Sequence, residues 1–230
     1  KIFDGQGKVL APGFIDTHSH HRGALLQDPG AKATLNQGIT TIVVGMDGYG
    51  SYVDSIIAGY RSRPLAANIA TYTGHTELRE RVMGTAQLNR PATEAELATM
   101  KAILADEMKK GSLGLSTGLE YAGAYFSNFH EVVELAKVAA AAGGSYTSHL
   151  RSEDIAMNEA INEIIAIGRE AKIPVQISHL KIALKDDWGT APQLLARLQQ
   201  ARLSGVNITA DVYPYDFWSS TLKVLFPKTD

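Results

Sequence analysis

Short apolar runs alternate with helical patterns along the whole of this 230-residue chain. The clearest helical pattern covers 93–111, with Thr93 as N-cap, Glu96 as its capping-box partner and Gly111 as C-terminal stop. Alternating strands and helices predict parallel strands joined by right-handed crossovers, which leaves a (β/α) barrel or a doubly wound sheet. The apolar runs lie at 9–15, 40–45, 67–74, 112–118, 145–150, 174–180 and 206–214.

Four of the seven histidines stand where predicted strands end, and they favour the barrel. His18 and His20 follow the first run, in "DTHSHHRG", while His149 and His179 end the fifth and sixth runs. Alternating side chains of an extended segment share a face, so His18 and His20 can converge while His21 points elsewhere. In a barrel the C-terminal strand ends form a ring around one mouth. The pattern therefore predicts a metal site there, with hydrogen-bonded structural histidines as the alternative.

Composition excludes several kinds of site and partner. The chain has no cysteine, so it forms no disulfide, and any metal must be held by nitrogen and oxygen. Its net charge of −2 gives no basic excess, so no nucleic-acid or membrane partner is expected. No apolar run approaches the ~20 residues that span a bilayer, and residues 1–10 lack a signal-peptide layout. A cytoplasmic location is the default expectation.

Seven motifs occur in order along the chain: "APGFIDTHSH", "GITTIVVG", "GHTELR", "GLSTGLEY", "SHLRSE", "ISHLK" and "DVYPY". Together they resemble the amidohydrolase superfamily, and within it the N-acyl-D-amino-acid deacylase (D-aminoacylase) family. The first motif indicates only the superfamily, whereas "GLSTGLEY", "SHLRSE" and "ISHLK" in that order are specific to the deacylases. The resemblance implies an α/β fold, a metal-dependent (β/α)8 TIM-type barrel with a small β-sandwich assembled from both chain ends.

The resemblance also implies how the chain is divided. Residues 1–10 would end the N-terminal β-sandwich segment, and residues 11–230 would form the catalytic barrel through its seventh strand. The family's catalytic aspartate belongs to the eighth strand, so the general base is expected beyond residue 230. Asp230 follows "FPKT" with no strand pattern before it and is not nominated. The chain is expected to be a fragment of a longer enzyme, or a truncated product.

The resemblance further implies a site for one or two divalent cations, with Zn²⁺ the leading candidate. In the best-known members a cysteine after the second strand holds or bridges the metals, and Asp47 stands at the equivalent position. Glu120 in "STGLEY", at the end of the fourth strand, is the second carboxylate candidate. Oxygen ligands suit zinc and also manganese or iron. Turn formation by Asp47 and loop ordering by Glu120 are the alternatives. The histidine ligands would be His18, His20, His149 and His179.

Substrates of the resembled family carry a free carboxylate beside the scissile amide, and the chain offers cationic and hydroxyl groups for it. Arg151 lies two residues after His149 and is one cationic candidate, although exposed arginines are usually solvated. His75, in "GHTELR", is expected to line the pocket or to be a hydrogen-bonded structural histidine. The resemblance makes the best carboxylate binders Lys181, Tyr121 and Tyr213, with Ser219 or Ser220 behind them.

Three functions remain open from the sequence. The first is metal-dependent hydrolysis of the amide bond of N-acyl-D-amino acids, small molecules that would yield a carboxylate and a D-amino acid. The second is another amidohydrolase activity, of the cyclic-amidase or isoaspartyl-dipeptidase kind. The third is a catalytically silent fragment or binding homologue. "GLSTGLEY", and the absence of a lysine at the end of the fourth strand, favour the first over the second.

Overall fold

A computed structural model describes residues 2, 4–220 and 222–225, which form eight strands and eight α-helices. The strands are β1 Phe14–Asp16, β2 Ile39–Val44, β3 Asn68–Thr71, β4 Thr73–Gly74, β5 Gly114–Gly118, β6 Ser145–His149, β7 Val175–Ile177 and β8 Ile208–Ala210. The helices are α1 Arg22–Gln27, α2 Lys32–Leu35, α3 Val53–Arg61, α4 His75–Met83, α5 Glu94–Lys110, α6 Phe129–Ala141, α7 Met157–Ala171 and α8 Ala191–Leu203. Short 3₁₀ helices cover Thr85–Gln87, Lys185–Asp187 and Leu222–Leu225.

The strands pair in parallel and in chain order. One sheet runs β1-β2-β3 and the other β4-β5-β6-β7-β8. The predicted strand at 67–74 is broken at Tyr72, so β3 pairs with β2 while β4 pairs with β5. Two backbone hydrogen bonds continue the pairing across the break, from Tyr72 N to Val44 O and from Leu113 N to Thr71 O. β3 and β4 therefore act as one bent strand.

This order decides between the two predicted architectures. A doubly wound sheet reverses its strand order at a switch point, whereas barrel strands follow one another around the ring. Counting β3 and β4 together, the described residues supply seven parallel strands in unbroken sequence. The barrel prediction is confirmed, and the described chain forms part of such a barrel.

Buried apolar side chains lie in two clusters. The larger packs strands β5 to β8 against helices α4 to α8, with Leu115 and Tyr146 among its fully buried members. The smaller packs Ile42 and Val44 of β2 against Leu25 and Ile56. All five residues of β5 are buried, as expected of a parallel strand covered on both faces. These clusters hold the strand ends in fixed relative positions.

Two helices show how far local sequence sets the boundaries. In α5 the Thr93 hydroxyl accepts the Glu96 N–H and the Glu96 carboxylate accepts the Thr93 N–H, which is the predicted capping box. The pattern at 153–171 predicts a helix from residue 153, but α7 begins at Met157. The Ser152 hydroxyl organises a turn there by accepting the Ala156 N–H. That turn leaves Glu153 outside the helix.

The chain ends bear on the predicted domain division. The described residues before Phe14 hold a turn at 6–7 and no strand, so the β-sandwich assignment of 1–10 stays a prediction. Asp230 lies outside the described residues. Across the described parts of the chain, every α-helix is too short or too polar to cross a lipid bilayer.

Candidate metal centre

Seven polar side chains gather at the carboxyl ends of the strands. Parallel strands place these ends at one edge, which is where barrel enzymes build their sites. The seven are His18 and His20 after β1, Asp47 after β2, Glu120 after β5, His149 at the end of β6, His179 after β7 and Asp211 after β8.

The structure brings the four predicted histidines and Asp47 together. Asp47 Oδ2 lies 3.2 Å from His20 Nε2, 3.4 Å from His179 Nε2 and 3.6 Å from His18 Nε2. His18 Nε2 and His20 Nε2 are 3.2 Å apart, and His149 Nδ1 is 3.0 Å from His179 Nε2. Ligand atoms ~2.0–2.1 Å from a tetrahedral zinc ion lie about 3.3 Å from one another. The donor atoms therefore have the spacing of ligands around a shared cation.

Within this cluster the described residues form two groups of three possible ligands. One group is His18, Asp47 and His179, and the other is His149, Glu153 and His179; the ligand atoms of each lie within 4.8 Å of one another. His179 belongs to both groups: its Nε2 lies 3.4 Å from Asp47 Oδ2 and 3.0 Å from His149 Nδ1, and its Nδ1 lies 2.7 Å from Glu153 Oε1. The arrangement can accommodate one or two ions.

Asp47 gives the clearest evidence that the residues fit a cation. Its side chain is buried, and its Oδ1 atom has no hydrogen-bond partner among the described residues. Burial would raise its pKa, but hydrogen bonds with His179, His18 and His20 outweigh burial and hold the pKa well below its usual range. A buried, ionised carboxylate is stable only with positive charge beside it. A divalent cation bound beside Asp47 would supply that charge.

Neighbouring carboxylates raise the pKa values of two of the histidines. Burial would lower the pKa of His18, but hydrogen bonds and charge interactions with Asp211 and Asp47 raise it to about 10. The pKa of His179 is raised to about 9 in the same way, by Asp47 and Glu153. Metal ligation requires the neutral ring, so a cation that binds here displaces protons from these rings.

A tightly packed loop sets the position of Asp47. Gly45 and Gly48 have φ values of +83° and +79°, and Asp47 between them has φ +56°. A Cβ on Gly45 would lie 2.4 Å from Tyr72 O, so this loop passes directly against the bent strand. The Gly48 N–H also binds Ser116 Oγ of β5 at 3.2 Å. The glycines let the chain turn so that the Asp47 carboxylate enters the cluster.

Glu120 and Glu153 each contact a histidine through a carboxylate oxygen. Glu120 Oε2 lies 2.7 Å from His149 Nε2, the ring nitrogen that faces away from His179. Glu153 Oε1 lies 2.7 Å from His179 Nδ1. Carboxylates at this position fix the orientation and tautomer of a ligand imidazole. The structure thus places Glu120 beside a histidine and, among the described residues, outside both ligand groups.

A cavity of about 520 Å³ opens over the cluster. The Lys181 ammonium contacts the Glu153 carboxylate, lies 3.0 Å from His179 Nδ1 and stands 5.7 Å from the centroid of the Tyr213 ring. The Tyr121 hydroxyl lies 3.2 Å from His149 Nδ1. Five predicted carboxylate binders line this cavity: Lys181, Tyr121, Tyr213, Ser219 and Ser220.

Comparison with known proteins gives the family. The sequence profile of the amidohydrolase family matches residues 1–224. The chain belongs to the amidohydrolase family. Two relatives from Alcaligenes xylosoxydans xylosoxydans are each 34% identical to it. An N-acyl-D-glutamate deacylase matches 95% of this chain and 49% of its own length, and a D-aminoacylase matches 96% and 50%.

A solved structure agrees with these relatives. The N-acyl-D-glutamate deacylase from Bordetella bronchiseptica, complexed with zinc and a phosphonate inhibitor, matches with a TM-score of 0.83 and 30% identity. The match covers 89% of this chain and 48% of that one. The chain therefore spans about half the length of the relatives that it matches. Within the amidohydrolases it is similar to the D-aminoacylase branch, which confirms the resemblance of its motifs.

Two predicted pocket residues of this amidohydrolase lie elsewhere. The Arg151 guanidinium makes 2.8–3.1 Å bonds to Glu163, and it is not part of the cavity wall. His75 is fully buried, with Nε2 2.9 Å from Glu131 Oε1. Arg151 is therefore paired with Glu163 outside this cavity, and His75 has the buried, hydrogen-bonded arrangement of its structural alternative.

Sequence reasoning missed Glu153 and Asp211. Both stand in quoted motifs, "SHLRSE" and "DVYPY", and each comes shortly after a strand end. Their pKa values both lie below the usual range, because bonds and charges from neighbouring histidines, Lys181 and Gln176 outweigh burial. Proximity of a carboxylate to a strand end was the available signal, but an aspartate or glutamate after a strand is equally typical of a solvated loop.

Proposed function

We propose that the full-length protein is a metal-dependent hydrolase that cleaves the amide bond of N-acyl-D-amino acids into a carboxylate and a D-amino acid. The observation that carries this proposal is the cluster of His18, His20, Asp47, His149 and His179, with donor atoms 3.0–3.6 Å apart. The similarity to deacylases supplies the substrate class. The activity is proposed for the whole protein because this chain spans about half of its relatives.

These five residues would hold one or two divalent cations, with zinc first because the similar Bordetella deacylase is complexed with zinc. A divalent cation bound there polarises the amide carbonyl and makes a water molecule acidic enough to supply hydroxide near neutral pH. The ligands are nitrogen and oxygen only, which also suits manganese and iron.

Lys181 would bind the free carboxylate of the substrate. Its ammonium already lies at the edge of the cluster, between Glu153 and His179, and above the Tyr213 ring. A substrate carboxylate in the cavity can join this ammonium, with the Tyr213, Ser219 or Ser220 hydroxyls nearby. This contact fixes the substrate on one side of the metal centre.

Tyr121 would contribute a hydrogen-bond donor. Burial and the charges of Asp47 and Glu153 raise the pKa of its hydroxyl, so the hydroxyl stays protonated over the working pH range. It lies beside His149 in the cavity wall, where it can donate to the oxygen on which negative charge develops.

Stereoselectivity follows from where the carboxylate and the amide of the substrate are held. With the carboxylate held at Lys181 and the amide carbonyl held at the metal centre, two of the groups on the α-carbon are placed. Only one enantiomer then puts its side chain into free space, while the other must give up one contact. β3 and β4 count as one barrel strand, so β8 is the seventh strand of the barrel. The general base is expected at the end of the eighth barrel strand, beyond residue 230, so each assay uses the full-length protein.

The test measures hydrolysis of paired N-acetyl-D- and N-acetyl-L-amino acids by metal-replete protein, with chiral analysis of the products. We expect the D series to be hydrolysed faster. Faster hydrolysis of L or cyclic substrates would point to another amidohydrolase activity, and no hydrolysis of any would point to a silent homologue. His149→Ala should abolish activity and bound metal, whereas the control His130→Ala, an exposed histidine of α6, should retain both.

A further inference from the structure

Asp211 contacts two of the proposed ligand histidines with one carboxylate. It follows β8, and its Oδ1 accepts the backbone N–H of His179 at 2.6 Å. Its Oδ2 lies 3.3 Å from His18 Nδ1 and accepts a hydrogen bond from Gln176 Nε2 at 3.0 Å. The side chain therefore connects the loop after β1 to the loop after β7, the two loops that bring His18 and His179 to the cluster.

The first contact determines which nitrogen of His18 carries its proton. A neutral imidazole has one donor and one acceptor nitrogen, and a carboxylate can only accept. Nδ1, facing Asp211, must therefore be the donor. Nε2 keeps its lone pair, and it is Nε2 that lies 3.2 Å from His20 Nε2 and 3.6 Å from Asp47 Oδ2. Asp211 thus selects the tautomer that leaves the correct nitrogen free for a cation.

The second contact holds the backbone of His179 in an unusual conformation. His179 has φ +36°, in the left-handed region that residues with a side chain rarely adopt. The charge-assisted bond from its N–H to Asp211 Oδ1 stabilises this conformation. The turn directs the ring between Asp47 and Glu153, so that His179 can belong to both ligand groups.

We infer that Asp211 is a positioning residue of the metal centre, which fixes the ring of His18 and the backbone of His179 without binding the cation itself. Among the described residues it stands in neither ligand group. This inference rests on the proposed metal-dependent function. It separates Asp211 from Asp47, whose carboxylate faces the free ring nitrogens.

The experiment compares three variants of the full-length protein: Asp211→Ala, Asp211→Asn and the control Asp154→Ala. Asp154 is an acidic residue that binds Ser152 and does not line the metal cavity. The Zn²⁺ dissociation constant is measured by chelator competition, and the thermal midpoint is measured on metal-free protein. We expect Asp211→Ala to weaken Zn²⁺ binding about 10- to 100-fold, the usual effect of losing a carboxylate behind a ligand histidine. Asp154→Ala should bind Zn²⁺ like the parent.

Asp211→Asn should give an intermediate loss, because its single carbonyl oxygen can accept from His18 or from His179 but its amide nitrogen cannot accept at all. This variant also carries the test if Asp211→Ala does not fold. Zn²⁺ affinity equal to that of the parent in Asp211→Asn and in any folded Asp211→Ala protein would overturn the inference. A fall in thermal midpoint with unchanged affinity would likewise show that Asp211 is only structural.

Nitrogen-15 NMR of histidine-labelled, metal-free protein separates this inference from the proposed function. We expect the Nδ1 proton of His18 to be hydrogen-bonded and slow to exchange with water in the parent, and to exchange rapidly in Asp211→Ala. If the parent binds no Zn²⁺ but differs from Asp211→Ala in this way, the proposed metal centre is wrong while the contact between Asp211 and His18 is confirmed. If it binds Zn²⁺ and the His18 Nδ1 proton exchanges at the same rate in both proteins, Asp211 has no positioning role.

Discussion

At the scale of single residues, the site depends on which atom each carboxylate presents to the histidines. Asp47 Oδ2 faces three free ring nitrogens, whereas Glu120 binds the far nitrogen of His149. The two carboxylates are buried to a similar extent but contact different nitrogens of the histidine rings. The resemblance to the deacylases makes both of them candidate ligands, with Asp47 ranked above Glu120. Sequence cannot show which way either side chain turns.

Removing each carboxylate therefore has a different effect on bound metal. Asp47→Ala deletes an atom of the proposed coordination shell, so we expect most of the metal to be lost. Glu120→Ala leaves every facing donor in place and loosens only the His149 ring, so the loss should be partial. Metal per protein chain is measured by elemental analysis after dialysis. Equal metal content in both variants and the parent would reject Asp47 as a ligand.

Replacing Lys181 is expected to weaken the interaction with substrate and to leave metal binding unchanged. Lys181→Ala removes the only lysine or arginine among the described residues of the cavity wall. We expect kcat/KM on an N-acyl-D-amino acid to fall because a charged hydrogen bond to the substrate is lost. The loss of transition-state stabilisation should be on the order of 2–4 kcal/mol, and the metal content should not change. Lys185→Ala, four residues further on and exposed, is the control and should leave kcat/KM near the parent value. A Lys181 variant with parental kinetics would remove Lys181 from the binding site.

At the scale of elements, local signals set the boundaries of some helices and tertiary contacts set those of others. The bounds of α5 follow from the Thr93 and Glu96 capping box and Gly111, all readable in the sequence. The start of α7 depends on the Ser152 turn, and the break at Tyr72 depends on which neighbour each half of the strand pairs with. Those choices involve residues far apart in the chain, so periodicity cannot reveal them.

A buried charge network ties α4 to α6 beneath the site. Arg79 and Glu131 are almost fully buried, and Arg79 Nη1 lies 2.5 Å from Glu131 Oε1. Burial would raise the pKa of Glu131, but the hydrogen bond from His75 and the charges of His75 and Arg79 outweigh burial and hold it at about 2. Glu131 therefore stays ionised in the folded protein, and Arg79 depends on it for charge compensation.

Neutralising Glu131 should destabilise the fold. Glu131→Gln leaves the Arg79 guanidinium buried without a counter-charge, and we expect the free energy of unfolding to fall by about 3–5 kcal/mol. Glu134→Gln on the same helix breaks partly exposed pairs with Lys101 and Lys137 and should cost less than about 1 kcal/mol. Urea unfolding of both variants makes the comparison. Similar losses in the two would show that the Arg79–Glu131 pair has no special role.

At the scale of the whole molecule, the fold was largely predictable and the completed site was not. Seven strand-like runs with helices between them require parallel strands in order, and the histidines at their ends require those ends to meet. The contacts of Glu120, Glu153 and Asp211 with the histidines arise only once five strand ends are placed side by side. The displacement of Arg151 and His75 from the cavity has the same cause, since each is captured by a glutamate on a helix, Glu163 or Glu131.

The central claim is that these strand ends converge on a shared cation. A crystal structure of the full-length protein with zinc supplied tests it most directly. The account predicts one or two zinc ions with ring nitrogens of His18, His20, His149 and His179 at ~2.0–2.1 Å, and an Asp47 oxygen among the ligands. Histidines that point to separate places, with zinc present in the crystal and bound elsewhere, would contradict it.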